Sequence, residues 1–218
     1  MDLGSDLIES WPIVPPAHVA LTGAGGKTTL MLALHHAGIL RGWRTVASTT
    51  TRVGAWQTDG LAGFLHGGLQ GDKLVGLVPE ELDARFRAGA TDLLVVEADG
   101  SRGKVVKGPA DHEPVIPASA THVLALLGAD SLDRVIEDVA HRPARVAAIC
   151  SCSQYQRLTV ERAAVLLTSP RGGRKGVPPG AQFAVAVTRI GSRQQRQAAR
   201  LASLLDEVAV RCFLLPLV

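Results

Sequence analysis

LTGAGGKTT, residues 21–29, joins a short apolar run at His18–Leu21 to a segment, Thr28–Leu40, in which Leu30, Leu34 and Ala37 or Gly38 recur at helical spacing. A glycine-rich turn between a strand and a helix suits an anion, because the first helical turn leaves N–H groups unpaired and carries the positive end of the helix dipole. Gly23, Gly25 and Gly26 let the backbone curl with positive φ and approach an anion closely. Lys27 is then placed to reach the β- and γ-phosphates of a nucleotide, and the Thr28 hydroxyl to ligate Mg²⁺. The stretch carries the second half of the pattern G-x-x-x-x-G-K-[ST]; Leu21 stands where the first glycine would be. Nucleotide-binding residues are expected at Gly23, Ala24, Gly25, Gly26, Lys27, Thr28 and Thr29.

Outward from this loop, apolar strand-like runs alternate with helix-like segments. Strands are expected at Thr45–Ser48, Lys73–Leu77, Asp92–Val96, His122–Leu127, Phe183–Val187 and Cys212–Leu215, with a weaker one at Arg145–Cys150. Helices are expected at Glu80–Ala88, begun by Pro79, at Thr159–Leu167 and at Ser192–Val208. Continuous apolar strands separated by helices call for a mostly parallel sheet with helices on both faces, an α/β three-layer fold. Ser169–Gly180 is too rich in Gly and Pro for regular structure and reads as a loop. No internal repeat is present, and residues 1–218 are expected to form one domain.

Bound triphosphate needs a metal, and DLLVVEAD, residues 92–99, delivers carboxylates to the carboxyl end of a central strand, the edge where open α/β sheets bind ligands. An extended backbone points Glu97 and Asp99 to the same side. Asp99 is expected as the metal-linked or γ-phosphate-sensing group and Glu97 as its close second, so the metal set is Thr28, Asp99 and Glu97. Lys27, Asp99 and Glu97 are the candidate catalytic groups. In STTTR, residues 48–52, Thr50, Thr51 and Arg52 could contact a nucleotide or substrate anion, or simply end a strand. Arg102, Lys104 and Lys107 stand just beyond the acidic pair, as an anion site or as ordinary surface charge.

Composition bounds these readings. Of 218 residues 46% are hydrophobic and 20% charged, which excludes a wholly disordered chain, and only 4% are aromatic, so the core must be aliphatic. The start MDLGSDLIES lacks the basic flank and apolar stretch of a signal peptide, and no apolar run approaches the roughly 20 residues of a membrane span, so a soluble, cytoplasmic protein is expected. Three cysteines make no disulfide framework. Cys150 and Cys152 form a C-x-C pair that in a strand would present both thiols on one side, as soft-metal ligands or as small buried residues. Residues 1–140 hold eleven Lys and Arg against seventeen Asp and Glu, whereas 141–200 hold eleven against the single Glu161. That basic block has little aromatic interleaving, only Tyr155 and Phe183, which argues against nucleic acid as a partner. The basic loop around Arg171, Arg174 and Lys175 could close over a bound nucleotide or stay solvated.

VVEADGSRGKVVKGPADHEPVIP, together with LTGAGGKTTL and the TTTR segment, resembles the YqeC family, accessory proteins for selenium-dependent molybdenum hydroxylases. The resemblance runs from about Val19 to Ile190. It implies a P-loop NTPase-like fold and a nucleotide-binding protein, an Mg²⁺-dependent ATPase or GTPase, that acts in the maturation of a molybdenum hydroxylase. The partners implied are a nucleoside triphosphate and a client enzyme or molybdenum-cofactor species. The run Asp111, His112, Glu113, Pro114 belongs to the family pattern, and a lid or docking loop is one reading of it. Where the family tends to carry an Asn-Lys-x-Asp-like sequence after the late strand, this chain has Thr188, Arg189, Ile190 and Gly191. With no Asp there to accept from a guanine ring, ATP is expected over GTP. Two alternatives use the same phosphate site: a small-molecule kinase or ATP-dependent ligase, and a nucleotide sensor that does not hydrolyse.

Overall fold

The computed structural model describes residues 3–58, 61 and 63–216. Met1 and Asp2 of the acidic start, and the last two residues of the expected domain, lie outside the described residues. Seven strands form one sheet: β1 (Ala17–Gly23), β2 (Thr45–Thr49), β4 (Phe64–Leu65), β7 (Leu93–Glu97), β9 (His122–Gly128), β11 (Gln182–Thr188) and β12 (Arg211–Leu214). Their order is β12-β11-β9-β1-β7-β2-β4, and every pairing within it is parallel. β3 (Arg52–Gly54), β5 (Leu69–Gln70) and β6 (Lys73–Val75) make a small antiparallel sheet, and β8 (Val106–Lys107) pairs with β10 (Ala140–His141).

The apolar runs are strands because both faces of the sheet are covered. On one side Val19, Leu21, Leu93, Val95, Leu124 and Leu126 pack against α1 (Leu3–Ser10) and α2 (Lys27–Leu40) through Leu7, Leu30, Met31 and Leu34. On the other, Ala125, Leu127, Val185 and Val187 pack against α5 (Pro143–Ile149), α6 (Val160–Thr168) and α7 (Gln195–Asp206), while Leu94 and Val96 meet α3 (Pro79–Arg87). A single-turn helix, α4 (Ile136–Val139), precedes β10. The fold is therefore the expected three-layer α/β arrangement with a P-loop-like strand-to-helix turn after β1. No helix among the described residues is long and apolar enough to cross a membrane.

Three local readings change. Arg145–Cys150 is helical, not a strand: Pro143 sets the first turn, three alanines favour helix, and Val146, Ala147 and Ile149 bury one helical face. The C-x-C pair thus has no strand to align it. Cys150 ends α5, its Sγ donating to the Arg162 carbonyl at 3.4 Å, and burial pushes its thiol up to about 12. Helix α1 has no counterpart in the sequence reading. It docks closely on α2, where a Cβ on Gly4 would lie 2.1 Å from the Ala33 carbonyl oxygen. Lys73–Leu77 contributes strand only over Lys73–Val75, and to the small antiparallel sheet.

Candidate functional site at the carboxyl edge of the sheet

β1 lies between β7 and β9, and the chain leaves for β2 on one side before returning to β9 on the other, so a crevice opens beyond its carboxyl end. The glycine loop fills that end. A Cβ on Gly23 would lie 2.3 Å from the Leu126 carbonyl oxygen, and one on Gly25 would lie 2.6 Å from Gly128 N, so backbone from β9 takes the space a side chain needs. Both glycines have positive φ, 82° and 100°. Thr188, ending β11, closes the loop from behind by donating its hydroxyl to the Gly25 carbonyl. Gly26 adopts the left-handed conformation and starts α2 with Lys27.

Lys27 is folded back and only 3% exposed. Its Nζ donates to the Gly23 carbonyl at 2.7 Å and lies 3.3 Å from Asp99 Oδ1 and 3.6 Å from Glu97 Oε1. Burial works against its charge, but the Asp99 and Glu97 carboxylates outweigh that and raise its pKa. Both acids reach one cation, as their i, i+2 spacing predicts. Their surroundings differ. Thr28 Oγ1 donates to Glu97 Oε2 at 2.8 Å, and Glu97 lines the cleft. Asp99, 1% exposed, accepts from Gly23 N at 3.1 Å and is clamped on its other side by Lys107 Nζ at 3.2 Å. Of the two acids expected with Thr28 as the metal set, Glu97 lies beside the Thr28 hydroxyl, whereas Asp99 sits one layer deeper between two lysines.

From Asp99 the charges run on. Lys107 Nζ lies 2.9 Å from Glu113 Oε2 and donates to the Gly100 carbonyl at 2.5 Å, and Glu113 accepts from Arg142 at 2.6 Å and from Ala110 N at 3.2 Å. Burial would raise the Glu113 carboxyl, but the bond from Lys107, with Ala110 and Arg142, holds it at about 2. Lys107 is therefore a buried strut, not a free anion receptor. The Asp111–Pro114 run lies along this strut: Asp111 pairs with Arg145 at 2.8 Å, and Lys175 of the basic loop donates to the Ala110 and Asp111 carbonyls. Arg174 of that loop stacks over Phe183, 4.7 Å from the ring centroid. Neither side chain lines the cleft.

The cleft has a volume of about 680 Å³. Of the residues expected to bind, it brings together Gly25, Gly26, Lys27, Thr28, Thr29, Arg52 and Glu97, along with Arg102 and Lys104. Gly23 and Asp99 line a separate small cavity of about 30 Å³ behind the loop. Ala24 is buried, its N–H donating to the Leu126 carbonyl at 3.0 Å. Thr50 and Thr51 do not reach the cleft wall: Thr50 Oγ1 donates to the Val115 carbonyl at 2.8 Å, and Thr51 N to Thr49 Oγ1 at 3.1 Å. Trp56, Lys73, His141 and Arg142 line the cleft without having been expected there. Burial, with Arg142 and Lys107, lowers His141 to about 4. The donor set at the loop, a hydroxyl and a carboxylate, is all oxygen and suits a hard cation such as Mg²⁺.

The sequence model of the YqeC protein family matches residues 19–144, more than half of the chain. The uncharacterized protein YqeC of Escherichia coli (strain K12) is 31% identical over 187 residues, which span 76% of this chain and 73% of that protein. Among solved structures, a DUF1611 family protein from Anabaena variabilis is similar with a TM-score of 0.48 and 19% identity over 93% of this chain; the chain spans 54% of its length. Hydrogenase maturation factor HypB from Archaeoglobus fulgidus is similar with a TM-score of 0.39 and 14% identity, covering 84% of this chain and 87% of that one. HypB from Helicobacter pylori, solved in complex with nickel, gives a TM-score of 0.44 and 10% identity over 98% of this chain and 85% of that one. On the extent of the family match and the identity to the E. coli protein, the chain belongs to the YqeC family.

Proposed function

We propose that the chain acts as one nucleotide-binding domain that takes an Mg²⁺-nucleoside triphosphate in the glycine loop, hydrolyses it slowly, and uses the cycle as an accessory factor in the maturation of a molybdenum hydroxylase. The observation that carries the nucleotide reading is the contact of Thr28 Oγ1 with Glu97 Oε2 at 2.8 Å, on the wall of an open cleft and at the N-terminus of α2. A hydroxyl and a carboxylate meeting beneath a helix N-terminus supply two of the six oxygen ligands of an octahedral cation, and the remaining positions suit phosphate oxygens and water. Thr28 and Glu97 would hold the cation, which when bound neutralises charge on the β- and γ-phosphates. The loop N–H groups of Gly25–Thr29 would bind phosphate oxygens, Lys27 would swing from the Gly23 carbonyl toward the terminal phosphate, and Glu97 would orient water. Asp99 and Lys107 would hold Lys27 and the loop in register.

The maturation role and the preference for ATP rest on the family resemblance and on Thr188–Gly191 replacing an Asn-Lys-x-Asp-like sequence. Calorimetry with Mg-ATP and Mg-GTP, followed by phosphate release with and without a molybdenum hydroxylase client, tests both parts. Binding of ATP over GTP and client-stimulated release are expected; no heat with either triphosphate overturns the nucleotide reading. A second reading, transfer to a small molecule, is favoured by cleft-lining cations, Arg52, Lys73 and Arg102, that have no ion-pair partner among the described residues, and ATP consumption that depends on a metabolite without any protein partner would support it.

A further inference from the structure

The cleft extends beyond the glycine loop, where it is lined by a ribbon formed by β3 and β6 of the small three-stranded sheet. β3 and β6 are antiparallel, with Arg52 opposite Val75, Val53 opposite Leu74 and Gly54 opposite Lys73. Alternation puts Val53 and Leu74 on one face, where both are buried, and Arg52, Gly54 and Lys73 on the other. Arg52 and Lys73 are diagonal neighbours on that face, about 7–8 Å apart. Gly54, opposite Lys73, adds no side chain to that face, and Trp56 packs over it: a Cβ on Gly54 would lie 2.8 Å from the indole Nε1 and 3.2 Å from Cδ1. The turn that follows is pinned, Gln57 Oε1 accepting from Gly54 N at 3.1 Å and Ala55 N donating to the Asp72 carbonyl at 2.9 Å. Trp56 nevertheless remains 74% exposed. An aromatic ring is laid against the Gly54 backbone in a cleft that Arg52 and Lys73 also line, with the rest of its surface open.

The other cations of the cleft are engaged. Lys27 faces Glu97 and Asp99, Lys104 donates to the Asp138 carbonyl at 2.7 Å, Arg142 pairs with Glu113, and Arg189 with Asp130 at 2.8 Å. Among the described residues, the side chains of Arg52, Lys73 and Arg102 have no carboxylate or other acceptor within bonding distance, and all three line this cleft together with Trp56. Asp72, in the ribbon's turn, lines it as well. The ribbon follows β2, on the Glu97 side of the glycine loop, whereas the ends of β9 and β11 lie on the opposite side of β1. A ligand on the ribbon would therefore meet a bound nucleotide from the metal side.

We infer that the ribbon face is a second ligand subsite that takes a planar aromatic anion, its ring stacked on Trp56 and its phosphate or carboxylate among Arg52, Lys73 and Arg102, while the glycine loop holds a nucleotide. The inference rests on the nucleotide reading above and gives the chemistry of that site's second ligand. Stacking suits a ring because indole offers a wide face at little entropic cost, and cations without partners lose no ion pair on meeting an anion.

The test titrates riboflavin 5′-phosphate calorimetrically into the full chain saturated with Mg-ADP, whose own binding is measured first in the same buffer. Riboflavin supplies the ring without the charge, and inorganic pyrophosphate the charge without the ring. One riboflavin 5′-phosphate per chain is expected, with ADP still bound and an affinity at least about tenfold above either partial probe. Trp56→Ala and, independently, Lys73→Glu each weaken it about tenfold, in proteins whose circular dichroism matches the wild type. Displacement of ADP by the probe, absence of saturable probe binding, or unchanged affinity in the two variants overturns the proposal. Should ADP itself fail to bind, the nucleotide reading falls, and the same titrations without nucleotide still decide the subsite.

Discussion

Two buried polar clusters sit at opposite ends of β1, and they are built on different rules. At the amino end, Asp83 accepts from Ser119 N at 2.8 Å, Ser119 Oγ at 2.6 Å and Ala118 N at 3.2 Å, and His18 Nδ1 meets Ser119 Oγ at 2.9 Å. One carboxylate is satisfied there mainly by short neutral donors, with the largely exposed Arg87 guanidinium 3.8 Å away. At the carboxyl end, Lys27, Glu97, Asp99, Lys107 and Glu113 are held mainly by one another, and they back onto an open cleft. A cluster that only supports the fold is closed by backbone and hydroxyl groups. One that keeps several charges out of bulk water, with a hydroxyl and a carboxylate on a cavity wall, is arranged for a charged ligand.

The sharpest way to break this contrast is Lys27→Ala, which should weaken Mg-ATP binding about 100-fold, roughly 2.7 kcal/mol, in a folded protein measured by calorimetry. Equal affinity in that variant would place the ligand elsewhere. Next, Asp99→Ala should lower stability by about 3–5 kcal/mol in urea unfolding, since two buried lysines lose their shared partner, and should also impair nucleotide binding through the freed Gly23 N–H. Asp83→Ala, at the other end, should cost about 1–3 kcal/mol and leave nucleotide affinity unchanged. A nucleotide effect from Asp83→Ala would erase the distinction.

Acid should act at both ends through histidines whose pKa burial lowers, and His18 reports on the amino end. Burial lowers His18 to about 4, with Asp83 pulling the other way. Its folded pKa lies below the ordinary 6.5, so between those values the unfolded chain binds more protons and stability rises with pH. The contribution is complete above pH 6.5 and lost as pH falls toward 4, by up to roughly 3 kcal/mol. His18→Gln should reduce the slope over that window, leaving the share of His141, which burial also lowers to about 4; an unchanged slope would contradict the burial argument. The smallest effect is expected from Thr50→Val: about 1 kcal/mol of stability from the lost bond to Val115, and nucleotide affinity within about twofold.

The parts of this molecule legible in sequence are those set by local chemistry. Leu93–Val96 is apolar throughout, ends in two β-branched valines and reads as a covered strand, and the glycines before Lys27 announce a curled anion loop at any distance from the rest of the fold. Helix α5 was misread because Arg145–Cys150 is short and apolar, a pattern shared by a buried strand and a buried helix, and Pro143 was the signal that could have separated them. The different surroundings of Glu97 and Asp99 leave no mark in the sequence because they depend on Lys107, ten residues beyond Glu97, folding back beneath the loop. Arg142 reaches Glu113 across 29 positions, and Trp56 and Lys73 face the cleft only through the register of a three-residue ribbon. Such long-range placements leave no periodic trace.

Crystals grown with Mg-ATP, or with a slowly hydrolysed analogue, put the whole arrangement to the test at once. The β-phosphate should lie within the N–H groups of Gly25–Thr28, and the metal should sit on Thr28 Oγ1 and face Glu97, with Asp99 still between Lys27 and Lys107. Nucleotide density outside this loop, or a metal carried by Asp99 with Glu97 turned away, would contradict it.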